Sequence, residues 1–178
     1  MKLMKNLFAK AVSLVFALVF LLSSVCTVSV FAADDDNTLV INSDAKVKVG
    51  DKVKYTLYLS DTKEDIVGFE MRLFYDHNYL KLDKDSISYS KFDGVVQNLD
   101  IQDKIPFNWT NVSNPVSFSN KAEFISLSFK VLKGGETEIS QFVSEMYGKD
   151  LTSLKSYKWT YDISVNDKSI VKDKTPVI

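Results

Sequence analysis

Between Val53 and Val165 stretch after stretch of this chain returns its apolar side chains at every second residue, and no amphipathic helix of any length competes. Period two restricts the fold to strands with one buried face. The run K-V-K-Y-T-L-Y-L sets Val53, Tyr55, Leu57 and Leu59 inward and Lys52, Lys54, Thr56 and Tyr58 outward. I-S-L-S-F-K-V-L does the same with Ile125, Leu127, Phe129 and Val131. Y-K-W-T-Y-D-I-S-V buries Tyr157, Trp159, Tyr161, Ile163 and Val165 while showing Lys158, Thr160, Asp162 and Ser164. Shorter runs rich in β-branched and aromatic residues lie between them: S-I-S-Y-S-K-F, V-V-Q-N-L-D-I and I-P-F-N-W-T-N-V. Gly134-Gly135 turns the chain into E-T-E-I-S. Eight or nine short strands separated by turns predict an all-β fold, a jelly-roll β-sandwich over residues 38–168.

One further stretch, G-F-E-M-R-L-F-Y-D-H-N-Y-L-K-L (Gly68 to Leu82), reads as a single strand. Phe69, Met71, Leu73 and Tyr75 take its buried face, and Gly68, Glu70, Arg72 and Phe74 take the other. That exposed row is unusual, because it sets an acid, a base and an aromatic ring in line on a sheet surface where Lys and Thr would suffice.

The chain opens with an address. Lys2 and Lys5 precede an almost wholly apolar run from Leu7 to Val30, as in a secretory signal. Val30 and Ala32 supply small side chains for cleavage after Ala32, so residues 1–32 are expected to leave. An uncleaved membrane anchor, which needs about 20 apolar residues, is the alternative. Cys26 follows Val25, which is not the small residue that a lipoprotein signal places there. What remains is 146 of the 178 residues, with 19 basic against 23 acidic side chains and a formal charge near −4. The only cysteine goes with the signal, so one domain-sized chain must be held by its core alone. Residues 33–37 read as an acidic flexible lead-in and 169–178 as a C-terminal tail, the start of a linker or a frayed end. Arg72 is the only arginine and the lysines form no cluster, which gives nucleic acid no electrostatic footing.

Catalytic patterns are missing. His77 is the only histidine, which excludes zinc sites and H-E-x-x-H, and there is no G-x-S-x-G elbow or phosphate-cradling glycine loop. Paired carboxylates for glycoside hydrolysis would come from Glu64, Glu70, Glu123, Glu136, Glu138 and Glu145, most of which sit beside turns or at strand ends as solvated charges. D-T-K-E-D, Asp61 to Asp65, has acids without calcium-loop spacing. No enzyme, cofactor or metal is expected. N-W-T at Asn108 and N-V-S at Asn111 are glycosylation acceptors only in a host that uses that pathway.

V-G-D-K-V-K-Y-T-L-Y-L-S (Val49 to Ser60), then V-G-F-E-M-R-L-F-Y-D-H-N-Y-L-K-L, then I-S-L-S-F-K-V-L-K-G-G-E-T-E-I-S resemble a bacterial cohesin module of the cellulosome type. The resemblance covers roughly Thr38 to Val165. It departs at His77, where the family commonly has proline. It implies a non-catalytic, secreted, extracellular bacterial module whose partner is a dockerin-containing protein of a polysaccharide-degrading system. It also implies that the strand holding Gly68, Glu70, Arg72 and Phe74 lies in the docking face, with Asp100, Asn108 and Asn111 pointing the same way from neighbouring strands. The alternative is a carbohydrate-binding or adhesive β-sandwich whose partner is a polysaccharide. Tyr58, Phe74 and Tyr89 would then be the outward rings, with Trp109 and Trp159 filling the core.

Overall fold

The computed structural model describes residues 37–154 and 156–178. The expected signal and anchor segments and residues 33–36 lie outside the described residues. Twelve strands follow in chain order: β1 (Thr38–Ile41), β2 (Ala45–Lys48), β3 (Lys52–Ser60), β4 (Ile66–Phe74), β5 (Leu80–Tyr89), β6 (Val96–Gln97), β7 (Lys104–Thr110), β8 (Ala122–Val131), β9 (Gly135–Thr137), β10 (Ser140–Gly148), β11 (Lys158–Val165) and β12 (Lys168–Lys174). They form a five-stranded sheet, β12-β11-β3-β8-β5, a four-stranded sheet, β10-β4-β7-β6, and a small sheet, β2-β1-β9. Every ladder is antiparallel except that of β1 with β9. The described residues contain no helix, and so none long and apolar enough to cross a membrane.

Alternation drives the sandwich. Val53, Tyr55, Leu57 and Leu59 of β3 and Ile125, Leu127, Phe129 and Val131 of β8 are buried, as the sequence predicts. Between the two larger sheets an aromatic chain runs from Trp109 on β7 to Phe69 on β4 (6.0 Å), to Phe124 on β8 (4.8 Å) and to Trp159 on β11 (4.9 Å). Strict alternation would turn Phe124 outward. A register shift between Leu57 and Tyr58 pairs Ile125 and then Glu123 with them, and Phe124, the extra residue of this bulge, turns inward. The V-G-D start of β3 is a turn: Gly50 takes φ +94°, open to glycine, and the Asp51 carboxylate accepts the Lys48 N–H at 2.9 Å.

Several expected elements need correction. Gly68 to Leu82 is two strands, not one, because Asp76 breaks the run. Its carboxylate accepts the Asn78 N–H (2.8 Å) while its carbonyl accepts the N–H groups of Tyr79 (3.1 Å) and Leu80 (3.0 Å). Tyr75 still packs inward, 5.1 Å from Phe129. V-V-Q-N-L-D-I shrinks to the two-residue β6. The tail at 169–178 is no linker: β12 pairs with β11, and beyond it the Val177 carbonyl accepts the Gln141 N–H at 3.0 Å. The strand count exceeds eight or nine because β1, β2, β6 and β9 have two to four residues each.

Candidate functional site

β4 runs through the interior of the four-stranded sheet, flanked by β10 and β7, so its outward row sits within a wider grid. Opposite Phe74, Arg72, Glu70 and Gly68 stand Lys104, Pro106, Asn108 and Thr110 of β7. On the other side stand Ser140, Phe142, Glu145 and Tyr147 of β10. The inward partners, Phe69, Met71, Leu73, Ile105, Phe107, Trp109 and Met146, are all buried. The sheet thus separates a dry face from a mixed polar and aromatic one.

At the centre of the grid Arg72 Nη2 donates to Glu70 Oε1 at 3.0 Å, with both side chains about two-fifths exposed. Ser144, the extra residue of a β10 bulge, donates to the same oxygen at 3.4 Å. The guanidinium lies 6.0 Å from the centre of the Phe142 ring, which is 47% exposed. An exposed ion pair of this kind adds at most about 1 kcal/mol to stability. Arginine and aromatic rings at the centre of an exposed face are instead the composition of interface cores. Gly68 belongs to the row but is buried: a Cβ there would stand 3.2 Å from Thr110 Oγ1 and 3.7 Å from the Tyr147 ring, so these neighbours close over it.

The structure therefore brings together Gly68, Glu70, Arg72, Phe74 and Asn108. It leaves Asp100 and Asn111 outside the paired grid. Asp100 lies in the loop after β6, where Lys84 of the other sheet bonds its carboxylate at 2.8 Å and holds it below the usual carboxylate range. Asn111 lies past the end of β7, and its side-chain oxygen accepts the Asn114 N–H at 3.0 Å to close a loop. Phe142, Ser144 and Tyr147 are the residues that sequence reasoning missed, because β10 was not read as a strand. Its signal is E-I-S-Q-F-V-S-E-M-Y-G, in which Ile139, Val143 and Met146 fall on one face once Ser144 is counted as an insertion.

Among the outward rings proposed for sugar stacking, Tyr58 is covered by Lys121, whose Nζ stands 4.0 Å above the ring. Tyr89 is part-buried, its hydroxyl bonds Gln97, and burial pushes its phenol above the ordinary range. Trp109 and Trp159 are buried as expected. Among the described residues one group, Asp76, His77 and Asp103, brings three potential metal-ligand atoms within 4.8 Å. These atoms already have partners. Asp103 Oδ1 accepts the His77 N–H (2.8 Å) and faces Nδ1 (2.7 Å), which lowers the Asp103 pKa, while Asp76 is occupied by Asn78. Proline at position 77 would lack that N–H.

Comparison with solved structures places the chain beside cohesins. It covers 88% of the OlpC cohesin in a type I cohesin–dockerin complex from Clostridium thermocellum, with 69% of this chain matched, 15% identity and a TM-score of 0.53. It matches the sixth cohesin of Acetivibrio cellulolyticus scaffoldin B, solved with a Cel5 dockerin mutant, over 68% of this chain and 92% of that one (16% identity, TM-score 0.52). The seventh ScaB type I cohesin of Pseudobacteroides cellulosolvens matches over 66% and 82% (17% identity, TM-score 0.50). At these identities the likeness establishes the fold. No curated protein sequence matches. The cohesin-domain family model matches residues 37–174, from the residue before β1 to the last residue of β12, and on that match the chain belongs to the cohesin family.

Proposed function

We propose that this chain is a secreted, non-catalytic module that binds a dockerin-containing protein through the outward face of β10-β4-β7-β6, in a bacterial extracellular system for polysaccharide degradation. One observation carries the reading. The centre of an otherwise ordinary sheet face holds an exposed arginine–glutamate pair flanked by Phe142, Tyr147 and Phe74, a grouping that contributes little to folding and suits a protein partner. Family membership supports the partner class, since two of the matched cohesins were solved with dockerins. Burial of both tryptophans weighs against polysaccharide as the direct ligand.

The test is calorimetry of wild type and of the E70S/R72S/F74S triple variant against dockerins encoded in the same genome, with thermal melts as folding control. Surface changes move stability by about 0.5 kcal/mol or less each, so the fold should hold. Affinity should fall more than about thirtyfold, since one lost hot-spot side chain costs about 2 kcal/mol. Equal affinity would remove this row from the site. Capture on insoluble glycan without dockerin binding would favour the carbohydrate reading. Export is tested separately: mass spectrometry of the secreted protein should find a start at Ala33 or within a residue or two, whereas an intact Met1 in the membrane fraction would favour the anchor.

A further inference from the structure

The outer face of the five-stranded sheet gathers lysines that the sequence scatters. Lys130 of β8 stands directly opposite Lys52 of β3 on one side and Lys81 of β5 on the other. All three are exposed, on the face away from their core-packed neighbours Val53, Phe129 and Leu82. Residues paired in this way hold their Cβ atoms about 5 Å apart, and like charges so placed repel. Together with Lys84 of β5 they line a cavity of about 420 Å³, within the range that takes small molecules. The absence of a lysine cluster therefore holds along the chain and fails in space.

The charge gathered here is not balanced. Asp83 is the one carboxylate lining the cavity, and it accepts Lys52 Nζ at 3.1 Å. Lys84 turns away to Asp100 at 2.8 Å. The Asp51 carboxylate, at the turn into β3, is engaged by the Lys48 N–H (2.9 Å) and the Asn166 side-chain amide (3.2 Å). Among the described residues Lys81 and Lys130 have no carboxylate or other acceptor as partner. Folding gains nothing from such a row, and the chain has acids enough to neutralise it. Lysine offers a compact point charge with three donors, the form in which it binds phosphate. Two uncompensated ammonium groups also match the charge of a phosphate monoester, about −1.5 to −2 near neutral pH. We infer that this cavity binds a phosphate group, held by Lys81 and Lys130 with Lys52 at its edge. The site lies on the sheet that the proposed docking face does not use, and it does not draw on the dockerin reading.

Amide NMR titration of the protein with inorganic phosphate and with glycerol 3-phosphate, at low ionic strength where charges are least screened, tests the site. Saturable shifts should cluster at Lys52, Lys81 and Lys130, and the tighter of the two probes tells whether the site takes free phosphate or an ester. K81Q/K130Q should weaken that binding about tenfold or more. K158Q/K172Q removes the same charge from outside the cavity and should leave affinity unchanged. Thermal melts of K81Q/K130Q should fall at or above wild type, because repulsion across the row is relieved. Absence of saturable shifts with both probes would overturn the site. Equal weakening in the two double variants would reduce it to diffuse charge attraction and overturn it as well. A melting temperature of K81Q/K130Q below wild type would assign these amines to the domain's own stability, with the same consequence.

Discussion

Neighbouring residues on β4 do opposite work. Leu73 is wholly buried between the sheets, and Arg72 beside it faces out under the Phe142 ring. L73A should therefore cost about 2–5 kcal/mol by leaving a cavity, read as a shift in the denaturant midpoint at unchanged slope. An unchanged midpoint would mean that the two faces of β4 are reversed. E70Q should move that midpoint little, by about 0.5 kcal/mol or less, because its ion pair is exposed. At this scale the sequence was legible: alternation alone assigned Phe69, Met71 and Leu73 to the core and Glu70, Arg72 and Phe74 to the surface. Gly68 was not, since what closes over it is Thr110 of β7 together with Tyr147 from a strand 79 residues on.

Among the elements, legibility tracked regularity. The inward rows of β3, β8 and β11 could be read directly from their alternation, but Thr56 and Thr160, expected on the exposed rows, are buried in the interior of the five-stranded sheet. β10 could not be read, for two physical reasons. Its bulge at Ser144 breaks the period, and its polarity is inverted at one pair, with Gln141 buried and Phe142 exposed. β12 resembled a linker because it carries three lysines and only Val171 turns inward, which is how an edge strand resists pairing with other chains. Its far end is held by charge. Lys174 Nζ bonds Asp44 at 2.8 Å, and the Tyr161 hydroxyl of β11 donates to the same carboxylate at 2.9 Å, so the turn between β1 and β2 is fastened to the five-stranded sheet. The bonds from Lys174 and Tyr161 hold the Asp44 pKa below its ordinary value. A depressed carboxylate stabilises the fold fully above its unfolded pKa, about 3.9, and that contribution is lost as pH falls through the lower folded value. D44N should melt below wild type at pH 7, and the gap should narrow below about pH 4. A gap constant from pH 7 to pH 3 would show that this carboxylate contributes no pH-dependent stability.

Over the whole molecule, the sandwich was legible because one periodicity repeats through most of the chain, and the outward row of β4 because it alternates with a buried one. The extent of the face was not legible. It depends on which strand pairs with β4, and antiparallel partners distant in sequence leave no local mark. On the proposed function, the outward side of β10-β4-β7-β6, and not the outer side of the five-stranded sheet, meets the partner. Amide NMR spectra of the labelled domain, titrated with an unlabelled dockerin that it binds, test this directly. Shifts clustered at Glu70, Arg72, Phe74, Asn108, Phe142 and Tyr147, with Lys54, Lys130 and Lys158 on the other sheet unmoved, are the predicted result; shifts clustered on β3, β8 and β11 with β4 unmoved would contradict it.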